Sequence, residues 1–179
     1  MTSNIILIGF MGCGKSSIGR RLAARLGQEF LDSDELITKA AGGRSISDLF
    51  AEEGEEAFRI RETDVLRGLS SSTGFVLATG GGAILREENR LILSALGRVV
   101  WLHADTDTLY ERASRNRKRP LLQVENPRTT FNALLESRLP VYRSAAEVAV
   151  DASGLSHDQT VEAIVRALGG SGAPGSTVA

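Results

Sequence analysis

With one cysteine in 179 residues, the chain cannot build an internal disulfide framework, and a reducing cytosol is the compartment that fits. It also lacks a basic surplus. Its 21 lysines and arginines stand against 22 aspartates and glutamates, a net charge of −1, whereas a general nucleic-acid binder carries an excess of cations. No apolar run approaches the length of a membrane span. The short apolar stretch near the N-terminus has no basic flank before it, so neither a membrane helix nor a signal peptide is expected. There is no internal repeat, and the length suits one domain without a separate regulatory one. A cytoplasmic, single-domain protein is the expectation.

The most specific local feature is Gly9-Phe10-Met11-Gly12-Cys13-Gly14-Lys15-Ser16, a complete G-x-x-x-x-G-K-[ST] phosphate loop. The buried-strand run Ile5-Ile6-Leu7-Ile8 precedes it, and Ile18, Leu22, Ala23 and Leu26 follow at helical spacing. Glycines allow successive backbone N–H groups to point into one concavity, and the helix N-terminus adds positive potential there. Lys15 can reach terminal phosphates, and the Ser16 hydroxyl suits a Mg²⁺ ligand. The segment predicts a nucleoside triphosphate site with Gly12, Cys13, Gly14, Lys15, Ser16 and Ser17 around the phosphates.

Short apolar runs alternate with helical stretches along the chain, which predicts a parallel sheet between helices. Strands are expected at Asn4–Ile8, Glu29–Leu31, Gly74–Ala78, Val99–Leu102 and Glu147–Val150. Helices are expected near 15–26, 33–41, 45–70, 87–96, 106–114, 128–143 and 157–168. Asn126-Pro127 offers a cap and a first-turn proline, and Ser156 with Gln159 makes a capping box. The expected domain is 1–168, followed by a tail over 169–179 rich in glycine, serine and alanine with little to bury.

Ligands of open α/β sheets sit beyond the carboxyl ends of the strands. After the second expected strand come Asp32 and Asp34, and after the third Thr79-Gly80-Gly81-Gly82. Asp32 is suited to orient the waters of a hydrated Mg²⁺. Asp34 can accept a hydrogen bond, and a proton, from a substrate hydroxyl; its competing reading is a helix cap. A third group, Arg112, Arg115, Arg117, Lys118 and Arg119, precedes Pro120-Leu121-Leu122. Beside a triphosphate it suits a lid spanning 112–124, with Arg119 and, second, Arg112 neutralising phosphate charge.

The stretch Gly43-Arg44-Ser45-Ile46-Ser47-Asp48-Leu49-Phe50, continuing through Arg59-Ile60-Arg61-Glu62, resembles the substrate-region signature of shikimate kinases. So do Leu31-Asp32-Ser33-Asp34, the triple glycine, Arg119-Pro120-Leu121-Leu122 and Arg138-Leu139-Pro140-Val141-Tyr142-Arg143, in order over about residues 4–168. The resemblance implies a five-stranded parallel sheet with helices on both faces, like the P-loop nucleoside monophosphate kinases, with a lid and a substrate-binding helical region over 33–62. It implies ATP-dependent phosphorylation of the 3-hydroxyl of shikimate, Mg²⁺ as cofactor, and a monomer with no nucleic-acid or membrane partner. Lys15, Asp34 and Arg119 would then be catalytic, and Asp34, Arg59, Gly80, Gly81, Gly82 and Arg138 would hold shikimate. The two arginines have their own rationale, since guanidinium forks recognise carboxylates bidentately. Glu62 reads either as support for Arg59 or as an ordinary i,i+3 surface partner.

The chain departs from that family pattern in places. Asp151-Ala152-Ser153-Gly154-Leu155 lacks a basic residue for the adenine, which leaves Arg112 or backbone groups for that contact, and Ser17 stands where threonine is common. Cys13 reads as a tolerated small residue or as a thiol activated at a helix N-terminus, and Trp101 and His103 read as structural. Rival readings are a kinase of gluconate or of a nucleoside monophosphate, a GTPase-type switch, and an inactive binding module. The switch is disfavoured because no Asn-Lys-x-Asp motif exists and the only Asp-x-x-Gly, Asp151 to Gly154, comes too late.

Overall fold

The computed structural model describes residues 3–115 and 124–169. Five parallel strands, β1 (Asn4–Ile8), β2 (Glu29–Asp32), β3 (Phe75–Ala78), β4 (Gly97–His103) and β5 (Val148–Asp151), form one sheet in the order β2-β3-β1-β4-β5. The apolar runs are continuous rather than alternating because central parallel strands are covered on both faces. Every residue of β1 is buried, as is every residue of β3.

The helices are α1 (Lys15–Leu26), α2 (Ser33–Ala40), α3 (Ile46–Gly68), α4 (Glu87–Leu96), α5 (Thr106–Ser114), α6 (Pro127–Ala145) and α7 (His157–Gly169), with a 3₁₀ turn at Ala83–Leu85. α1 packs with α7 and α3 with α4, which gives the sheet its two helical layers. The core runs from β1 through Leu22, Phe75, Val100, Phe131 and Tyr142, all sealed from solvent. A smaller cluster of Ile37, Leu49 and Phe58 joins α2 to α3.

The expected elements all occur, with several corrections. The 45–70 helix is bent: Gly54 has φ 81° and ψ 171°, so α3 is two helical segments across a kink. β4 starts earlier than its apolar run because the ladder to β1 pairs Asn4 with Gly97. The Ser156–Gln159 capping box forms, with reciprocal bonds of 2.8 and 3.2 Å. Asn126 stands at the N-cap of α6 and Pro127 in its first turn, but the Asn126 side chain makes no capping bond. Gly169 closes α7, and the rest of the expected tail lies outside the described residues.

Strand order places the site. The chain leaves β1 toward β2 and β3 and later crosses to β4 and β5, so the sheet's switch point lies at the carboxyl end of β1. The phosphate loop occupies that end, and Thr79 binds the glycine turn to it: its amide and its hydroxyl both donate to the Leu7 carbonyl, each at 3.1 Å.

Candidate active site

The phosphate loop needs glycine for two reasons. Gly12 and Gly14 have φ of 87° and 88°, a region L side chains avoid. A Cβ on Gly12 would also stand 2.4 Å from the Leu109 carbonyl oxygen. The Lys15 ammonium folds over the loop, donating to the carbonyls of Gly9 at 2.7 Å and Phe10 at 3.2 Å. Cys13 is completely buried beneath it, with Sγ 3.6 Å from Lys15 Nζ. That placement favours the small-residue reading of this cysteine.

Ser16 Oγ donates to Asp32 Oδ2 at 2.7 Å, so the two expected metal-site residues meet. The other oxygen of Asp32 accepts the Asp34 amide at 3.0 Å and caps α2. The cap is therefore Asp32, and Asp34 lines a cleft of about 990 Å³. Lys15, Ser16, Ser17, Gly80, Gly81 and Arg112 line the same cleft, together with Leu155, Ser156 and His157 at the start of α7. Two hard oxygens from Ser16 and Asp32 fit Mg²⁺, which keeps most of its waters and takes few protein ligands. Among the described residues no group of three or more His, Cys, Asp or Glu side chains that could hold a metal ion exists.

The glycine turn after β3 is where the substrate-side residues converge. Gly80 and Gly82 are required by crowding rather than by backbone angle, Gly82 having φ −100°, whereas a Cβ on Gly81 would meet only ordinary contacts at 3.8 Å. A Cβ on Gly80 would stand 2.7 Å from Asp34 Oδ1 and 3.2 Å from Glu62 Oε1. On Gly82 it would stand 2.5 Å from Arg59 Nη2. The Gly81 carbonyl accepts from Tyr142 Oη at 2.6 Å and from Arg138 Nη1 at 3.3 Å. Arg59 and Arg138 do not line the cleft themselves; they reach the same turn from α3 and α6.

Arg59 is held by Glu62 at 2.9 Å and by Glu55 at 3.3 Å. Its side chain is 13% exposed and that of Glu62 1%, so the pair is buried and Glu62 is not an ordinary surface partner. Burial pushes the Glu62 carboxyl above its ordinary range, against the pull of the Arg59 guanidinium. Arg138 lies over the Phe10 ring, 5.6 Å from its centroid. Among the described residues its buried Nε has no hydrogen-bond partner.

Three contributors were not visible as such in the sequence. Ser33 Oγ accepts the Gly80 amide at 2.8 Å and seats the turn. Tyr142 sits one helical turn after Arg138 and grips the same carbonyl, a pairing that the i,i+4 spacing could have suggested. His157 becomes visible only once α7 is placed beside the phosphate loop. Trp101 is buried in the core, and His103 is half-buried, 3.9 Å from Asp151. Arg119, Arg117, Lys118 and Pro120-Leu121-Leu122 lie outside the described residues; of the 112–124 segment, 112–115 and 124 are described.

Comparison with known proteins agrees with this geometry. The family model for shikimate kinase matches residues 11–169. A shikimate kinase of Thioalkalivibrio sulfidiphilus is 50% identical over 165 residues, 92% of this chain and 86% of that protein. Another, of Actinobacillus pleuropneumoniae serotype 5b, is 50% identical over 145 residues, 81% of this chain and 83% of that one. A structure of the Acinetobacter baumannii shikimate kinase in complex with shikimate superposes with a TM-score of 0.88 at 42% identity, covering 94% of this chain and 93% of that one. A gluconokinase of Sinorhizobium meliloti, 21% identical with a TM-score of 0.62 over 93% and 91% of the two chains, shares the fold alone. With a family model matching residues 11–169 and relatives 50% identical over most of both chains, the chain belongs to the shikimate kinase family.

Proposed function

We propose that the chain transfers the γ-phosphoryl group of ATP to the 3-hydroxyl of shikimate, giving shikimate 3-phosphate and ADP. One observation carries the assignment of residues: a carboxylate and two guanidiniums converge on three consecutive glycines. Asp34 stands against Gly80, Arg138 against Gly81 and Arg59 against Gly82. One carboxylate for a hydroxyl and two guanidiniums for a carboxylate match a hydroxylated ring acid. The buried, unpartnered Nε of Arg138 supports this reading, because such a donor calls for an acceptor on a ligand.

In the proposed reaction the substrate's 3-oxygen forms a bond to the γ-phosphorus as the bond to the ADP oxygen breaks, and its proton passes to Asp34. Phosphoryl transfer of this kind depends on positioning and charge stabilisation. Lys15 exchanges its loop carbonyls for phosphate oxygens, and the loop amides hold the rest of the triphosphate. Ser16 and, through water, Asp32 would hold Mg²⁺, which supplies charge neutralisation on the phosphates. Arg112 and the α7 start, including His157, form the nucleotide end of the cleft. Arg119 is assigned to the phosphates on the resemblance alone.

The 33–62 region and the 112–124 segment act on this reading as the parts that enclose the two substrates and keep water from competing as acceptor. Among the described residues no helix is long and apolar enough to cross a membrane. A cytoplasmic location we infer from the single cysteine, and a monomer from the family resemblance alone. The test is Mg²⁺-dependent ADP release with shikimate, gluconate, AMP or no acceptor. Release with shikimate alone is expected; release with another acceptor would overturn the substrate, and acceptor-independent release the kinase reading.

A further inference from the structure

Behind Arg59 lies a buried polar pair that the mechanism above does not use. Thr63, one turn after Arg59 on α3, and Asn89, in the first turn of α4, are 2% and 0% exposed. A hydroxyl and a carboxamide at such depth are unfavourable unless partnered. Asn89 Nδ2 donates to the Ala83 carbonyl at 2.9 Å. Thr63 Oγ1 lies 2.7 Å from Asn89 Oδ1 and 3.0 Å from the Arg59 carbonyl. Counting donors settles the orientation. The Ala83 carbonyl only accepts, so the amide nitrogen faces it, and Oδ1 is left to receive the single proton of Thr63.

We propose that Thr63 and Asn89 are positioning residues that set the spacing between Arg59 and the glycine turn, and through it the affinity for the substrate's carboxylate. The inference rests on reading Arg59 as a carboxylate ligand. The two segments it connects are joined twice. At the tip of the arginine, the guanidinium lies against Gly82. At its base, the helical turn that carries Arg59 is linked to Ala83, the residue after Gly82, by Thr63, which donates to Asn89, and by Asn89, which donates to the Ala83 carbonyl. A link at the base is needed because α3 is interrupted at Gly54. The segment carrying Arg59 therefore does not inherit its alignment from the first half of the helix. Across the kink itself, Arg61 binds Glu53 at 2.7 Å through an arginine that is 40% accessible, and Arg67 with Glu88 and Arg86 with Glu56 join the second segment to the α4 region at the surface. The Thr63–Asn89 link is buried and points toward the turn.

The experiment compares the wild type with Thr63→Val, which removes the hydroxyl at nearly constant shape, and Thr63→Ser, which keeps it. Steady-state kinetics are measured with shikimate, with its uncharged carboxamide, and with varied ATP. Thr63→Val is expected to raise KM for shikimate about tenfold, within the hundredfold that a 1 Å misplacement can cause, with KM for ATP within about twofold. Thr63→Ser should restore the wild-type value. Toward the carboxamide, the valine variant and the wild type should have equal KM, because the fork it misplaces serves the carboxylate. A lowered unfolding midpoint with unchanged KM for shikimate would overturn the proposal, as would equal losses on both acceptors. If Thr63→Val is not recovered folded, Thr63→Ala is read by the same criteria. Arg59→Lys is measured alongside: an unchanged KM for shikimate there removes the carboxylate reading itself, whereas a large rise with a silent Thr63→Val removes only the positioning role.

Discussion

Gly82→Ala isolates what the crowded glycine turn does. At φ −100° and ψ −5° the backbone accepts alanine, and removing a glycine's freedom from the unfolded chain adds about 0.4–1 kcal/mol of stability. The conflict is entirely with Arg59. The new methyl carbon would stand 2.5, 2.7 and 2.8 Å from Nη2, Nη1 and Cζ. A comfortable contact is about 3.5 Å, so the guanidinium must withdraw by about 1 Å. The far end of an arginine can make that move, but not while keeping both its bond to Glu62 and its aim at a carboxylate. Losing one charge-assisted hydrogen bond is worth about 1.5–3 kcal/mol, or about 10- to 100-fold in KM for shikimate. The assay is coupled ADP release at varied shikimate and saturating ATP, with the unfolding midpoint measured in parallel. A midpoint at or above wild type with a raised KM for shikimate alone is expected. Gly12→Ala gives the contrast, since its added carbon would meet the Leu109 backbone oxygen at 2.4 Å with φ at 87°, and should lose ATP binding and stability together. Wild-type shikimate kinetics in Gly82→Ala would refute the placement of Arg59.

Asp34→Asn should lower kcat by about 100-fold or more while KM for ATP stays unchanged, since a proton acceptor is lost and the phosphate loop is untouched; normal turnover removes Asp34 as base. Asp32→Asn keeps a good cap for α2 but removes the charge beside Ser16. The Mg²⁺ concentration for half-maximal rate should rise about tenfold at a constant unfolding midpoint, and a fall in the midpoint alone would leave Asp32 a capping residue only. Burial raises the Glu62 carboxyl above its ordinary value of 4.5, so the folded state binds that proton more tightly than the unfolded one. Its contribution to stability is then greatest below the ordinary value and declines as pH rises through the raised one. The midpoint of the wild type minus that of Glu62→Gln should shrink as pH rises above 4.5 in thermal melts, and a widening difference contradicts the sign.

The strands were legible because burial on both faces leaves an unbroken apolar run, as in Ile5-Ile6-Leu7-Ile8. The ends were not, because they depend on pairing: Gly97 and Arg98 join β4 through the backbone ladder to β1 and carry no apolar signal. The bend at Gly54 was hidden for a similar reason. A glycine among helix-forming residues does not announce a left-handed angle, and the kink becomes apparent only where Glu53 reaches both Arg44 and Arg61. Within the site, the phosphate loop and Asp32 followed from local spacing. The contacts of Tyr142 and Ser33 did not, since each lies far along the chain from its partner at the glycine turn.

By itself the sequence determined the kind of chemistry. A glycine loop with lysine and serine before a helix specifies a phosphate cradle through local backbone geometry, and local geometry is written in neighbouring residues. The family motifs extended that to the substrate. Only the tertiary structure decided which group does what at the turn. It made Asp32 the cap and set Asp34 against Gly80, it buried Glu62 behind Arg59, and it brought Arg138 and Tyr142 to Gly81 and Arg59 to Gly82. The contacts at the glycines come from segments dozens of residues apart closing to within an atom's width. Such crowding leaves in the sequence only the smallness of the residue that permits it.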